Sequence, residues 1–206
     1  MTGDTYLTIA EKSEGLYKEK GSKFIALAFP VRNEDEVKRY LDEVKKQYYD
    51  ARHHCYAYAL GIDGEVYRAN DDGEPNHSAG DPILGQIRSK NLTHVLIIVV
   101  RYFGGTKLGV GGLITAYKTA ASEALVHSSI VTAIVKREVE IKFEYLSMND
   151  VMRMIKETDA EIKAQEFDNS CRIVVEVRLA IVEEFVEKLL ALENVYVSIQ
   201  DGLNSL

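Results

Sequence analysis

The chain has 206 residues, 46% hydrophobic and 28% charged, with three prolines, two cysteines and a net charge of −7. That length suits one large domain or two small ones. The composition excludes a membrane-spanning helix, because no run of about 18 apolar residues occurs, and a disulfide scaffold, because Cys55 and Cys171 are too few; overall acidity argues against broad nonspecific nucleic-acid binding.

The opening MTGDTYLTIAEKSEG has no basic n-region and no apolar h-region, so no signal peptide is expected. With reduced thiols, this points to the cytoplasm. The charge is uneven. Residues 1–135 hold 16 Lys and Arg against 17 Asp and Glu, whereas residues 136–206 hold 9 against 15. The acidity therefore sits in the last third, and a local basic site in the first part stays open.

From the N-terminus, TYLTIA and KFIALAFPV read as strands. NEDEVKRYLDEVKKQY reads as an amphipathic helix, with Asn33 placed to cap it and Val37, Tyr40, Leu41 and Val44 on one stripe. HHCYAYALGIDGEVYRA has the form of a hairpin turning at Asp63–Gly64. Asp81-Pro82 predicts the start of a short helix burying Ile83, Leu84 and Ile87. VLIIVV predicts a strand buried on both faces. Residues 110–127 predict a helix whose core face is Leu113, Tyr117, Ala120, Ala121 and Ala124, small enough for close packing on a sheet. This first part, 1–132, is an α+β domain, with a boundary near Thr132–Lys136.

From 136 to 206 the pattern is sharper. REVEIKFEY alternates, placing Val139, Ile141, Phe143 and Tyr145 on one face. SMNDVMRMIKET predicts a helix capped by Ser147, with Val151, Met154 and Ile155 inward. AEIKAQEF is a weak strand. CRIVVEVRL is a clear one, with Cys171, Ile173, Val175, Val177 and Leu179 inward. IVEEFVEKLLAL predicts a helix burying Phe185, Leu189 and Leu192, and VYVSI closes the order. That order, βαββαβ, is ferredoxin-like. It predicts an antiparallel sheet with helices on one face and Glu140, Lys142, Glu144, Arg172, Glu176 and Arg178 on a wet one.

Three stretches could carry chemistry. RYFGGTKLGVGGL, 101–113, places five glycines between a buried strand and a helix. It fails the Walker A pattern, because Val110 stands where lysine is needed. It fails the dinucleotide fingerprint, because Ile114 occupies the last glycine position. What remains is a generic anion cradle of backbone amides at Gly104 and Gly105, with Arg101 and Lys107 for charge and Thr106 and Thr115 for hydroxyls. The alternative is a tight joint that needs glycine for positive φ and close packing. Tyr102 and Phe103 could stack bases beside Arg101, or be core aromatics.

In RHHCYAY, 52–58, strand alternation puts His53 and Cys55 on one face and His54 on the other, so the histidines cannot share a metal. Cys55 and His53 could pair as nucleophile and base, but a buried strand thiol is ordinarily inert, and no turnover dependent on Cys55 is expected. In NDDGEPNHSAGDPIL, 70–84, Asp71, Asp72, Glu74 and Asp81 crowd one loop. Asp71 and Glu74 could act as acid and base, or the residues could simply build turns. No metal-ligand spacing is present, and neither a cofactor nor a catalytic set is expected.

Together, GSKFIA, ARHHCYAYAL, DDGEP…AGDPIL and VVRYFGGTKLGVGGLITAY follow the order of the IMPACT/YigZ family, which this chain resembles from Gly21 to about Ala124. The later residues resemble the extra C-terminal domain of bacterial members. The resemblance implies a first domain like domain four of elongation factor G and a ribosomal-protein domain, and a second like domain five of that factor. It implies a link to translation, as eukaryotic relatives oppose a kinase that represses initiation, and it brings no catalytic residues. Some relatives carry the label proline dipeptidase, but no dinuclear metal-ligand set supports it in this sequence. The family loop runs DGEP-x-G-T-A-G-x-P. Here His77 and Ser78 replace Gly-Thr, so a side chain stands where backbone freedom was available.

The expected function is a non-enzymatic binding protein with RNA or a ribosome-associated protein as partner. The alternative is an enzyme for a small phosphorylated or nucleotide-like ligand, in a cleft near His53, the 71–78 loop and the 101–107 loop. A third possibility is a protein-interaction regulator acting through the acidic second domain.

Overall fold

A computed structural model describes residues 3–168 and 170–204; the outermost residues of the two expected domains, 1–2 and 205–206, lie outside them. Two compact units emerge. One spans Tyr6–Thr132, and the other runs from Ala133 onward together with the segment up to Thr5. Among the described residues, no helix is long and apolar enough to cross a membrane.

The first unit runs β1 (Thr5–Ile9), β2 (Ser13–Glu19), β3 (Ser22–Pro30), α1 (Glu34–Gln47), β4 (His53–Leu60), β5 (Val66–Asn70), α2 (Gly80–Ser89), β6 (Val95–Tyr102) and α3 (Gly109–Val126), then enters β7 (Ile130–Ile134). β1 pairs with β7, and the main sheet has the order β2-β3-β6-β4-β5, antiparallel throughout. Alternation along the strands divides the interior in two. Phe24, Cys55, Ala57, Ile97 and Val99 face α2 and α3, while Leu27, Leu96, Ile98 and Val100 face α1. β6, covered on both sides, is therefore apolar from Val95 to Val100.

Asn33 caps α1 as its position predicts, its side chain accepting the Glu36 amide at 3.0 Å. β2 was not legible as a strand, since its Ser-Glu-Gly-Leu-Tyr-Lys-Glu has little β-propensity. Its Gly15 lies against the alanine face of α3, and a Cβ there would sit 2.3 Å from the Ala124 amide nitrogen. α2 starts at Gly80 rather than at Asp81-Pro82. The Asp71 carboxylate accepts the Ala79 and Gly80 amides at 2.9 Å each, which draws the start back, and Pro82 still falls in the first turn, where its missing N–H costs nothing.

The second unit runs β8 (Lys136–Phe143), α4 (Met148–Glu157), β9 (Glu161–Phe167), β10 (Cys171–Arg178), α5 (Val182–Leu190) and β11 (Val195–Asn204). Its sheet order is β11-β8-β10-β9, all antiparallel. This is the ferredoxin-like arrangement that the alternating strands predict. Val139, Ile141, Phe143, Ile173, Val175 and Val177 form the core with Val151, Phe185 and Leu189. The charges on the opposite face neutralise one another: Glu140 takes Arg172 at 2.5 Å and Lys142 at 2.8 Å, and Glu176 takes Lys163 at 3.1 Å.

Three details differ from expectation. Tyr145 is exposed, because β8 stops at Phe143 and a short 3-10 turn follows. Ser147 makes no capping bond, and its hydroxyl donates instead to the Glu193 carbonyl at 3.1 Å. Leu179 is half-buried, lying past the end of β10 in another 3-10 turn. Near the N-terminus, the buried Asp4 carboxylate receives Arg178, and its carbonyl accepts the Val135 amide at 2.7 Å.

Candidate functional site at the ends of β4 and β6

The β4–β6 register sets His53 opposite Arg101, bringing two of the three chemically suggestive stretches side by side. Arg101 is not an exposed cation. It is buried, and its Nη1 donates to Glu74 Oε1 at 2.5 Å. The same oxygen accepts the Tyr117 hydroxyl at 2.8 Å. The Cys55 thiol lies 3.3 Å from that hydroxyl and donates to the Asp71 carbonyl at 3.0 Å. The guanidinium lies 5.5 Å from the centre of the Phe24 ring and 5.7 Å from that of Phe103, and its buried Nε has no partner among the described residues. Arg101 therefore neutralises a buried glutamate, so its charge is already engaged within the protein.

Burial pushes the Cys55 thiol far above its ordinary range, against the opposing effect of the Tyr117 hydroxyl. Burial and the neighbouring thiol likewise push the Tyr117 hydroxyl up. The Cys55 thiol is thus held by the Asp71 carbonyl and the Tyr117 hydroxyl rather than by His53. His53 instead places Nδ1 2.9 Å from the Asp72 carbonyl.

The acidic loop separates its carboxylates. Asp71 accepts the amides of His77, Ala79 and Gly80, Asp72 accepts the His54 amide at 2.7 Å, Glu74 turns inward, and Asp81 meets His77 Nδ1 at 2.6 Å. Burial raises the Asp71 carboxyl, but the three amides outweigh it and leave the pKa below the ordinary value. His77 has φ +63°, the left-handed conformation that suits a glycine.

The glycine-rich loop is a joint in two senses. A Cβ on Gly104 would lie 1.9 Å from the carbonyl carbon of Gly21, so that position requires space; its amide donates to Ser22 Oγ at 3.1 Å. Gly105, at φ +87° with open space around it, requires backbone freedom. Of the proposed hydroxyls, Thr115 bonds the Gly111 carbonyl within α3. Phe103, Gly104, Gly105, Thr106 and Lys107 are exposed.

Asp50, Arg52, His53, Arg101, Tyr102 and Phe103 line a cavity of about 380 Å³, which Ala51 completes. The 71–78 loop is not part of its wall. Tyr102 donates to Asp50 at 2.7 Å, and this bond, with some burial, lifts its pKa to about 12. The sequence patterns do not mark Asp50, Arg52 or Tyr117 as site residues. A tyrosine among the alanines and leucines of a buried helix face is the available signal for Tyr117, since a buried hydroxyl needs a partner.

Residues 20–125 match the Impact N-terminal domain. The chain is similar to the IMPACT family member YvyE of Bacillus subtilis, at 31% identity over 198 residues covering 96% of this chain and 91% of the relative. It is similar to the IMPACT family member YigZ of Escherichia coli, at 30% over 172 residues covering 82% and 84%. A solved structure described as a hypothetical protein superposes with a TM-score of 0.74 at 27% identity, covering 97% of this chain and 99% of that one.

Proposed function

Given that the chain belongs to the IMPACT family, we propose that it is a non-enzymatic binding protein linked to translation, which takes RNA through Tyr102, Phe103, Gly104, Gly105 and Lys107. One observation carries this reading. Four groups able to do nucleophilic or proton-transfer chemistry (Cys55, Glu74, Tyr117 and Asp71) bond one another, Arg101 or nearby backbone, while an aromatic ring and a lysine with no ion pair among the described residues stand exposed on the adjoining loop. Exposed aromatics beside cations can hold unpaired bases and phosphates without a catalytic group.

The test is binding of labelled RNA to the full-length protein across a salt series, with affinity capture from lysate, with and without nuclease, to identify the natural RNA. Lys107→Ala keeps the fold, weakens binding and lowers the salt slope by about 0.7 for one contact on a single strand. A Lys107→Ala protein that binds like wild type at every salt concentration removes the loop from the site.

The cavity beside His53 favours a second reading, an enzyme for a small phosphorylated or nucleotide-like ligand. Its sign would be thermal stabilisation by nucleotides, abolished by His53→Ala, together with turnover of the same compound.

A further inference from the structure

The β2–β3 register pairs Lys18 with Lys23, and the β3–β6 register pairs Lys23 with Tyr102. Arg52 stands one residue before the His53–Arg101 pair, and shares the cavity wall with Tyr102. Cross-strand partners lie on one face of a sheet, so Lys18, Lys23 and Tyr102 form a row, which Arg52 continues. It spans three inter-strand steps, about 14 Å at about 4.7–4.9 Å each. Lys18, Lys23 and Arg52 are exposed and Tyr102 half-exposed.

The row adjoins the glycine loop directly. The hairpin turn at Lys20–Gly21 is in backbone contact with Gly104, whose amide donates to Ser22. Lys20 and Lys107 thus flank the same corner. None of these five cations makes an ion pair among the described residues, whereas Lys136, Lys142, Lys163, Arg172 and Arg178 of the second unit all do. The nearby carboxylates make no ion pair with these cations: Glu19 accepts the Tyr17 hydroxyl at 3.1 Å, and Asp50 accepts that of Tyr102. The chain is acidic overall, yet this corner keeps cations without an ion-pair partner among the described residues in line with the half-exposed Tyr102.

We infer that the β2–β3 hairpin tip and the end of β6 form one track for single-stranded RNA, with its backbone along Lys18, Lys23 and Arg52 and a base at Tyr102 and Phe103 over the cavity. This rests on the RNA-binding reading above and adds residues that the glycine loop alone does not indicate. A duplex fits poorly, because its bases are stacked away from the aromatics.

The experiment titrates full-length protein with labelled oligouridylate, with a duplex of equal length, and with a glutamate peptide of equal charge. Lys18→Ala/Lys23→Ala keeps the melting temperature, weakens oligouridylate binding and lowers the salt slope by about 1.4, or about 0.7 per contact on a single strand. Lys90→Ala, on the turn after α2, behaves like wild type. If the double variant binds like wild type while Lys107→Ala does not, the track is wrong and the loop reading stands. If wild type binds no RNA, both fall. Equal affinity for duplex overturns the single-strand assignment, and equal affinity for the glutamate peptide reassigns the surface to an acidic protein segment.

Discussion

The Glu74 oxygen that receives Arg101 at 2.5 Å also accepts the Tyr117 hydroxyl at 2.8 Å, so one buried carboxylate holds a β-strand and a helix together. Removing one partner of a buried ion pair leaves an uncompensated charge, which typically costs about 3–5 kcal/mol. Glu74→Ala should therefore destabilise strongly, and Arg101→Met alone nearly as much. The double variant Glu74→Leu/Arg101→Met should recover much of the loss. Urea unfolding of the three proteins checks this, and additive losses in the double variant would contradict it.

Gly104 and Gly105 should separate in their response to alanine. At Gly104 the new Cβ would meet the backbone of Gly21 and Ser22, which no rotamer change relieves, so the chain must move. Overpacking of this kind costs about 1–3 kcal/mol or more. At Gly105 the cost is that of a left-handed alanine in open space, about 1–2 kcal/mol. Gly104→Ala should be the less stable by thermal melting, with altered amide shifts around Gly21 and Ser22.

His77 occupies a left-handed position and makes one exposed pair with Asp81, a contact worth about 0–1 kcal/mol. His77→Gly should leave stability unchanged or slightly raised, because the conformation then carries no side-chain penalty. His77→Val should lose more than about 1 kcal/mol, since a β-branched residue strongly resists positive φ. Equal melting temperatures for the two variants would show that the loop does not hold this backbone.

Asp71 supplies a pH dependence whose sign is fixed. Its folded pKa is depressed by the three amides it accepts. Its contribution is fully present above the unfolded value, about 3.9, and is lost as pH falls through the lower folded value. The stability gap between wild type and Asp71→Asn should be flat from neutrality to about pH 5 and close below about pH 4. A gap that widens on acidification would reverse the assignment.

We propose that residues 1–132 and 136–206 fold separately. The isolated 136–206 fragment lacks Asp4, the buried partner of Arg178, so it should gain stability when residues 1–5 are restored through a linker. Dispersed amide spectra of each fragment are the expected result; a collapsed spectrum for 1–132 rules out its independence.

The second unit was readable because β8 and β10 each have one wetter face, so Val139, Ile141 and Phe143 alternate with charges and the period identifies the inward side. The first sheet is covered on both faces in places, and its edge β2 has Tyr17 as its single strong β-former, so neither its order nor its register has a local signature. The pairing of His53 with Arg101 depends on that register, and so does the row from Lys18 to Tyr102. The roles of Asp71 and Glu74 were ambiguous for another reason. Carboxylates in a Gly- and Pro-rich loop satisfy backbone amides as readily as they serve chemistry, and what separates the two is the inward turn of Glu74 toward a cation 27 residues away in sequence.

Gly15 presses against backbone atoms of α3, the Ala124 nitrogen and the Ala120 oxygen, rather than against side chains. No replacement on the helix can make room for a larger residue there, because every amino acid brings the same main chain. In a randomised library of Gly15, Ala120 and Ala124, the alanine sites would tolerate coordinated exchanges with other neighbours, but Gly15 would have no second-site suppressor among them. Its fixation would then be invisible to any method that looks for compensating pairs.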